Sequence, residues 1–146
     1  MKKLTIDADK LSKIELEVIG RAVIHDNCEY NWKDIKSYED SILVRSIDPE
    51  DIIYPTDSSK VIADKKISHY VKVLNGKDFK FDLFNTNQKK WSPIFKVLPS
   101  GLAFDDSDYC YDYAITFVGS RFALESEEKA DHAGKCIIDL YLEQNK

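Results

Sequence analysis

The hydrophobic period of this chain changes sharply near its middle, and that change limits what the chain can fold into. From Thr56 to Asn75 apolar residues recur at helical spacing. Ala63, Ile67, Tyr70, Val71 and Leu74 share one stripe, with lysines on the opposite face. Thr56-Asp57-Ser58-Ser59 supplies the polar start such a helix needs. Asn75-Gly76 supplies the stop, with Gly76 expected in the left-handed conformation of a helix cap. The period then drops to two. Phe79, Phe81 and Leu83 alternate with Lys80 and Asp82, and Tyr111, Tyr113, Ile115 and Phe117 alternate with Asp112, Ala114 and Thr116. Helical and strand periods in separate blocks predict the α+β class.

The remaining pieces extend this reading. Residues 4–24 alternate as strands do, with a turn or bulge at Gly20, and His25 to Asn31 is a polar loop. Ser37 is a candidate N-cap with Glu39 and Asp40 in the first turn, and Ile35, Tyr38 and Ile42 fall near one face with Leu43 beside them. Asp48-Pro49-Glu50-Asp51 has the cap, proline and acids of a one-turn helix start. Pro93 restricts a strand over Ile94 to Leu98 to an edge or a strand end, and Pro99-Ser100-Gly101 is a hairpin turn. A short strand follows over Arg121 to Leu124. Ser126 then caps a last helix, 127–143, whose stripe is Ala130, Ala133, Ile137 and Tyr141, broadened by Ile138 and Leu140. Gly134 sits inside that stripe at a cost in helix propensity, as expected of a point where another backbone packs close. The expected fold is one α+β domain over 1–146. A small antiparallel sheet of the N-terminal strands (1–30) and the 79–124 strands is covered by helices 59–75 and 127–143.

Composition narrows the function classes. The formal net charge is −5, which argues against a dedicated nucleic-acid binder. Three cysteines, Cys28, Cys110 and Cys136, make an odd number with no Cys-x-x-Cys, so reduced thiols are expected. Lys2 and Lys3 are followed by no apolar core of a signal peptide, and no run is long enough to span a membrane. These features suit the host cytoplasm or a virion.

Three constellations invite chemistry. Asp105, Asp106, Asp108 and Asp112 could offer oxygens to a hard cation. An EF-hand loop starting at Asp106, however, needs Gly and Glu where Tyr111 and Phe117 stand, so a solvated hairpin tip is the simpler reading. His132 and Cys136 stand four apart on a helix, a spacing that can share a metal. Only His25 and Cys28 could complete the set, so ordinary helix packing is expected. No nucleophile elbow and no glycine-rich phosphate loop occurs, and neither cofactor nor catalysis is expected. The segment from Phe104 to Phe117 is the best interaction candidate. Asp105, Asp106, Asp108, Tyr109, Tyr111, Asp112 and Tyr113, with Trp91 and Phe95 upstream, offer rigid amphipathic rings among acids. The competing reading makes those rings the core of a small sheet. Stacking on single-stranded nucleic acid would need cations, which residues 100–120 lack.

Lys36 to Asp40, Asp48 to Asp51, Leu74-Asn75, Asn85 to Phe95, Val118-Gly-Ser-Arg121 and Ala133-Gly-Lys135 follow one another in a particular order. In that order the chain resembles a family of uncharacterised proteins from phages and prophages of Bacteroidetes, over about residues 31–146. The Gly-Ser-Arg…Ala-Gly-Lys frame is its most specific part. The chain departs from the family at Ile94, where an aromatic is usual, and over Leu142 to Lys146, where the terminus is usually more hydrophobic. The resemblance implies an origin in a mobile element and carries over no catalytic residue. The function expected is a non-enzymatic module presenting residues 104–117 to a protein or glycan partner. The alternative is an acidic inhibitor or host-takeover protein that covers a basic surface of a nuclease or defence enzyme.

Overall fold

Helix α1 spans Tyr38–Arg45, α2 Ser59–Asn75, α3 Glu127–Cys136 and α4 Ile138–Gln144, while strands β1, Lys90–Leu98, and β2, Gly101–Cys110, form an antiparallel hairpin. This is a computed structural model, and it describes residues 30–45, 48–82, 85, 87–110 and 122–145. The strands expected over 4–24 and 111–117 lie outside those residues. The described part is a small α+β domain, a two-stranded antiparallel sheet packed against helices.

The helix starts follow from local chemistry. An N-terminal turn leaves backbone N–H groups without partners, and a short polar side chain placed just before it accepts from one of them. Ser37 Oγ accepts from Asp40 N at 3.1 Å, Ser58 Oγ from Val61 N at 3.4 Å and Ser126 Oγ from Lys129 N at 3.4 Å. Asp48 Oδ1 accepts from Glu50 N at 3.1 Å and opens a 3-10 turn over Pro49–Asp51.

The core gathers around α2. Ala63, Ile67, Tyr70, Val71, Val73 and Leu74 are buried against Ile35, Phe122, Leu124, Ala130, Ala133 and Ile137. Each large apolar side chain among them contributes roughly 1.5–3 kcal/mol by leaving water. The ring of Tyr70 is fully buried, and its hydroxyl donates to Ile35 O at 2.6 Å, so its polar end is matched too. Α1 packs on α2, α3 on both strands, and α4 on α2 and β2.

Four expectations need correction. First, Gly76 has φ 81 and ψ −174, so the chain leaves α2 through an extended, positive-φ conformation and not through a left-handed cap. Second, Phe79 to Asp82 is not a strand. Gln88 folds back on it, accepting from Asp82 N at 2.8 Å and donating to Lys80 O at 2.8 Å. One side-chain amide thus supplies the donor and acceptor that a neighbouring strand would offer. Third, β1 begins at Lys90 rather than Ile94, and Pro93 lies within it. Trp91 exchanges both backbone bonds with Leu124, 3.1 and 2.9 Å, on the side away from β2. Two residues on, the Pro93 nitrogen faces that same side, so the missing N–H removes no bond to β2. Fourth, the last helix is two helices. The chain turns at Ile137, φ −123 and ψ 31, between α3 on the hairpin and α4 on α2. Two adjacent β-branched residues, Ile137 and Ile138, make that the weakest point for continuing the helix.

Candidate functional site

The hairpin rests on α3 because position 134 has no side chain. A Cβ built on Gly134 would lie 2.3 and 2.6 Å from ring carbons of Phe104 and 2.9 Å from Cβ of Pro93. The helix does sit close on the sheet, but the approach is made by two side chains of the hairpin and not by a backbone. Phe95 extends the contact, its ring centroid 4.8 Å from that of Tyr141 and 6.4 Å from that of Phe104.

Strand alternation then sorts the candidate residues between two faces. The partners Trp91↔Tyr109, Pro93↔Ser107 and Phe95↔Phe104 share the face that meets α3 and α4. Ser92↔Asp108 and Ile94↔Asp106 share the other, where Asp106, Asp108 and Ile94 are exposed. Between them the register slips. Ile94 pairs with Asp106 and Phe95 with Phe104, which leaves Asp105 as the extra residue of a β-bulge, in an ion pair with Lys96.

The aspartates do not lie at a hairpin tip, which corrects the sequence reading. The tip is Pro99-Ser100, and Asp105, Asp106 and Asp108 stand along β2. Their carboxylates also hold the strand's own backbone. Asp106 Oδ1 accepts from Ser107 N at 2.9 Å and Asp108 Oδ1 from Tyr109 N at 2.7 Å. Ser107 and Tyr109 oppose Pro93 and Trp91, so their amides point away from β1, along a side that no strand covers among the described residues. Each carboxylate therefore occupies an amide that β1 leaves unbonded.

Tyr109 and Trp91 form a tilted pair with centroids 4.7 Å apart, and Lys89 Nζ lies 4.3 Å from the Tyr109 ring centre and 5.6 Å from that of Trp91. Of the candidate set, Trp91 and Phe95 thus serve packing, Tyr109 sits half on the surface, and Asp106 and Asp108 face outward. Tyr111, Asp112 and Tyr113 lie outside the described residues.

His132 and Cys136 do come together, but not as a chelate. His132 Nε2 lies 2.7 Å from Ile35 O, and because a carbonyl only accepts, that nitrogen carries the proton. The Cys136 sulfur is 3.7 Å from Nε2 and 3.9 Å from Nδ1. Near-equal distances to both nitrogens put it out of line with the Nδ1 lone pair that a metal would need. Trp32 meets the same ring edge-on at 5.4 Å. Among the described residues no group of three or more His, Cys, Asp or Glu is gathered for a metal ion, and no helix is long and apolar enough to cross a membrane.

Three features escaped the sequence reading. Asn75, read only as a helix stop, bonds two other backbone groups. Its Nδ2 donates to Ala123 O at 2.8 Å, and its Oδ1 accepts from Glu125 N at 2.9 Å. A polar residue directly before the stop glycine was the signal. A groove of about 410 Å³ lies between α1, the Pro49 turn and α2, lined by Tyr38, Ile42, Leu43, Pro49, Ile53 and Lys66. Leu43 is 61% exposed there, and an apolar residue beside the α1 stripe hinted at it. Finally, His69 is buried beneath α1, its Nε2 3.3 Å from Ser41 O, and that burial holds its imidazole below the ordinary value despite the bond.

No protein-family model, no curated protein and no solved structure matches the chain.

Proposed function

We propose that the chain is a non-enzymatic binding module of phage or prophage origin that presents its acidic, tyrosine-bearing segment, from Phe104 onward, to a protein or glycan partner. One observation carries this reading. The hairpin is clamped on one face by Gly134 and Tyr141, while its other face turns Asp106, Asp108 and Ile94 to solvent. Recognition surfaces gain from such rigidity, since little ordering is left to do on binding. The carboxylates on the edge amides favour contact through side chains over strand addition. Nucleic acid fits poorly, because Lys96 is paired with Asp105 and Lys90 is buried.

A second reading has its own support. Glu125, Glu127 and Glu128 are exposed beside α3, on a chain with net charge −5, as suits an acidic inhibitor of a basic enzyme surface. Immobilised protein exposed to a glycan panel and to host lysate, at low and high salt, separates the two. The binding module keeps its partner as salt rises and loses affinity in Tyr109→Ala, whereas the inhibitor releases its partner with salt. A partner that ignores both salt and the Tyr109 change would contradict both.

A further inference from the structure

We propose that Asn75-Gly76 is a latent deamidation site, closed by the docking of residues 123–125 on the end of α2, so that the covalent change records undocking and makes it permanent. Asn75-Gly76 is the chain's only Asn-Gly pair. Asn-Gly is the dipeptide most prone to this reaction, because no side chain hinders the attacking amide. The Gly76 nitrogen gives its proton to solvent and bonds to Asn75 Cγ. The Cγ–Nδ2 bond breaks, Nδ2 takes up a proton, and ammonia leaves. Water then opens the succinimide to an aspartyl or isoaspartyl residue. Water is the sole co-reactant, and no oxidation or reduction occurs.

The fold obstructs each step. Asn75 is the last residue of α2, and its helical backbone keeps Cγ away from the next nitrogen. Gly76 N donates to Val73 O at 3.1 Å. Both ends of the Asn75 amide are held, Nδ2 by Ala123 O at 2.8 Å and Oδ1 by Glu125 N at 2.9 Å, so Cγ cannot swing toward Gly76 while the dock stands. Lys129 adds a third tie, its Nζ 3.5 Å from Asn75 O. The product cannot rebuild the dock. A carboxylate can still accept from Glu125 N, but it has no N–H for Ala123 O, and the two acceptors then facing each other push the segment off.

The test follows aspartyl and isoaspartyl content at position 75 by peptide mapping of the full chain, held at mildly alkaline pH with increasing urea. Exchange of the Glu125 amide is read in parallel. The folded chain should deamidate at least about tenfold more slowly than the unfolded one, and below the unfolding midpoint its rate should rise in step with Glu125 opening. Equal rates in the two states would overturn the proposal, as would a rate that rises only with global unfolding. Asn75→Asp supplies the second arm. It should melt lower and lose Glu125 protection, and a melt and an exchange rate equal to wild type would overturn the claim of permanence.

Discussion

At position 134 the hairpin and α3 meet with no space for one carbon atom. Helix propensity alone makes Gly134→Ala stabilising, by up to about 1 kcal/mol. The packing reverses the sign, because the new methyl would meet the Phe104 ring and Pro93 inside 3 Å. Gly134→Ala should therefore lower stability by about 1–3 kcal/mol in thermal or urea melts, and pairing it with Phe104→Leu should recover part of the loss. Asn75→Ala should cost about 1–2 kcal/mol, since it leaves the Ala123 carbonyl without its donor while the Glu125 amide turns to water. His69 adds a pH dependence whose sign is fixed. Burial depresses its folded pKa below the ordinary 6.5, so an unfolded chain binds a proton there before the folded one does. The resulting stability is present above 6.5 and is lost as pH falls through the window beneath it. Melts at neutral and mildly acidic pH should show a steeper fall for wild type than for His69→Gln, and parallel curves would rule His69 out as the cause.

Between residue and molecule, the elements differ in how plainly the sequence announces them. Ser37, Ser58, Ser126 and Asp48 were legible because a cap and its target lie within three residues. The α2 stripe was legible because one period runs through it. The strand assigned to Phe79 and Phe81 was not, because period two reports an extended chain and says nothing of its neighbour. Here the neighbour is Gln88, a side chain. Gln88→Ala should hasten exchange of the Asp82 amide and cost about 0.5–1.5 kcal/mol or less, as the site is open to water. The break at Ile137 was hidden for a related reason. The hydrophobic stripe continues through it, while the packing shifts from the hairpin to α2 and the hairpin together. The aspartates were legible as acids but not as edge guards, since which amides face outward depends on register. Asp106→Ala should take the side-chain acceptor from the Ser107 amide and raise self-association, measured by light scattering against concentration.

Across the whole molecule, the helices form a scaffold and the hairpin is carried on it. The core around α2 holds α3 in place, α3 seats the hairpin at Gly134, and the seat turns Asp106 and Asp108 outward. A second surface, the apolar groove at Tyr38 and Leu43, lies between α1, the Pro49 turn and α2 and is the natural rival as a contact site. The decisive measurement is affinity for the captured partner in two variant pairs that spare the core. One is Asp106→Lys with Asp108→Lys on the hairpin, and the other is Leu43→Asp with Ile53→Ser in the groove. Melts confirm that each pair stays folded. The hairpin pair should weaken binding by more than about tenfold while the groove pair leaves it within about twofold. Loss of binding in the groove pair, with the hairpin pair unaffected, would contradict the account.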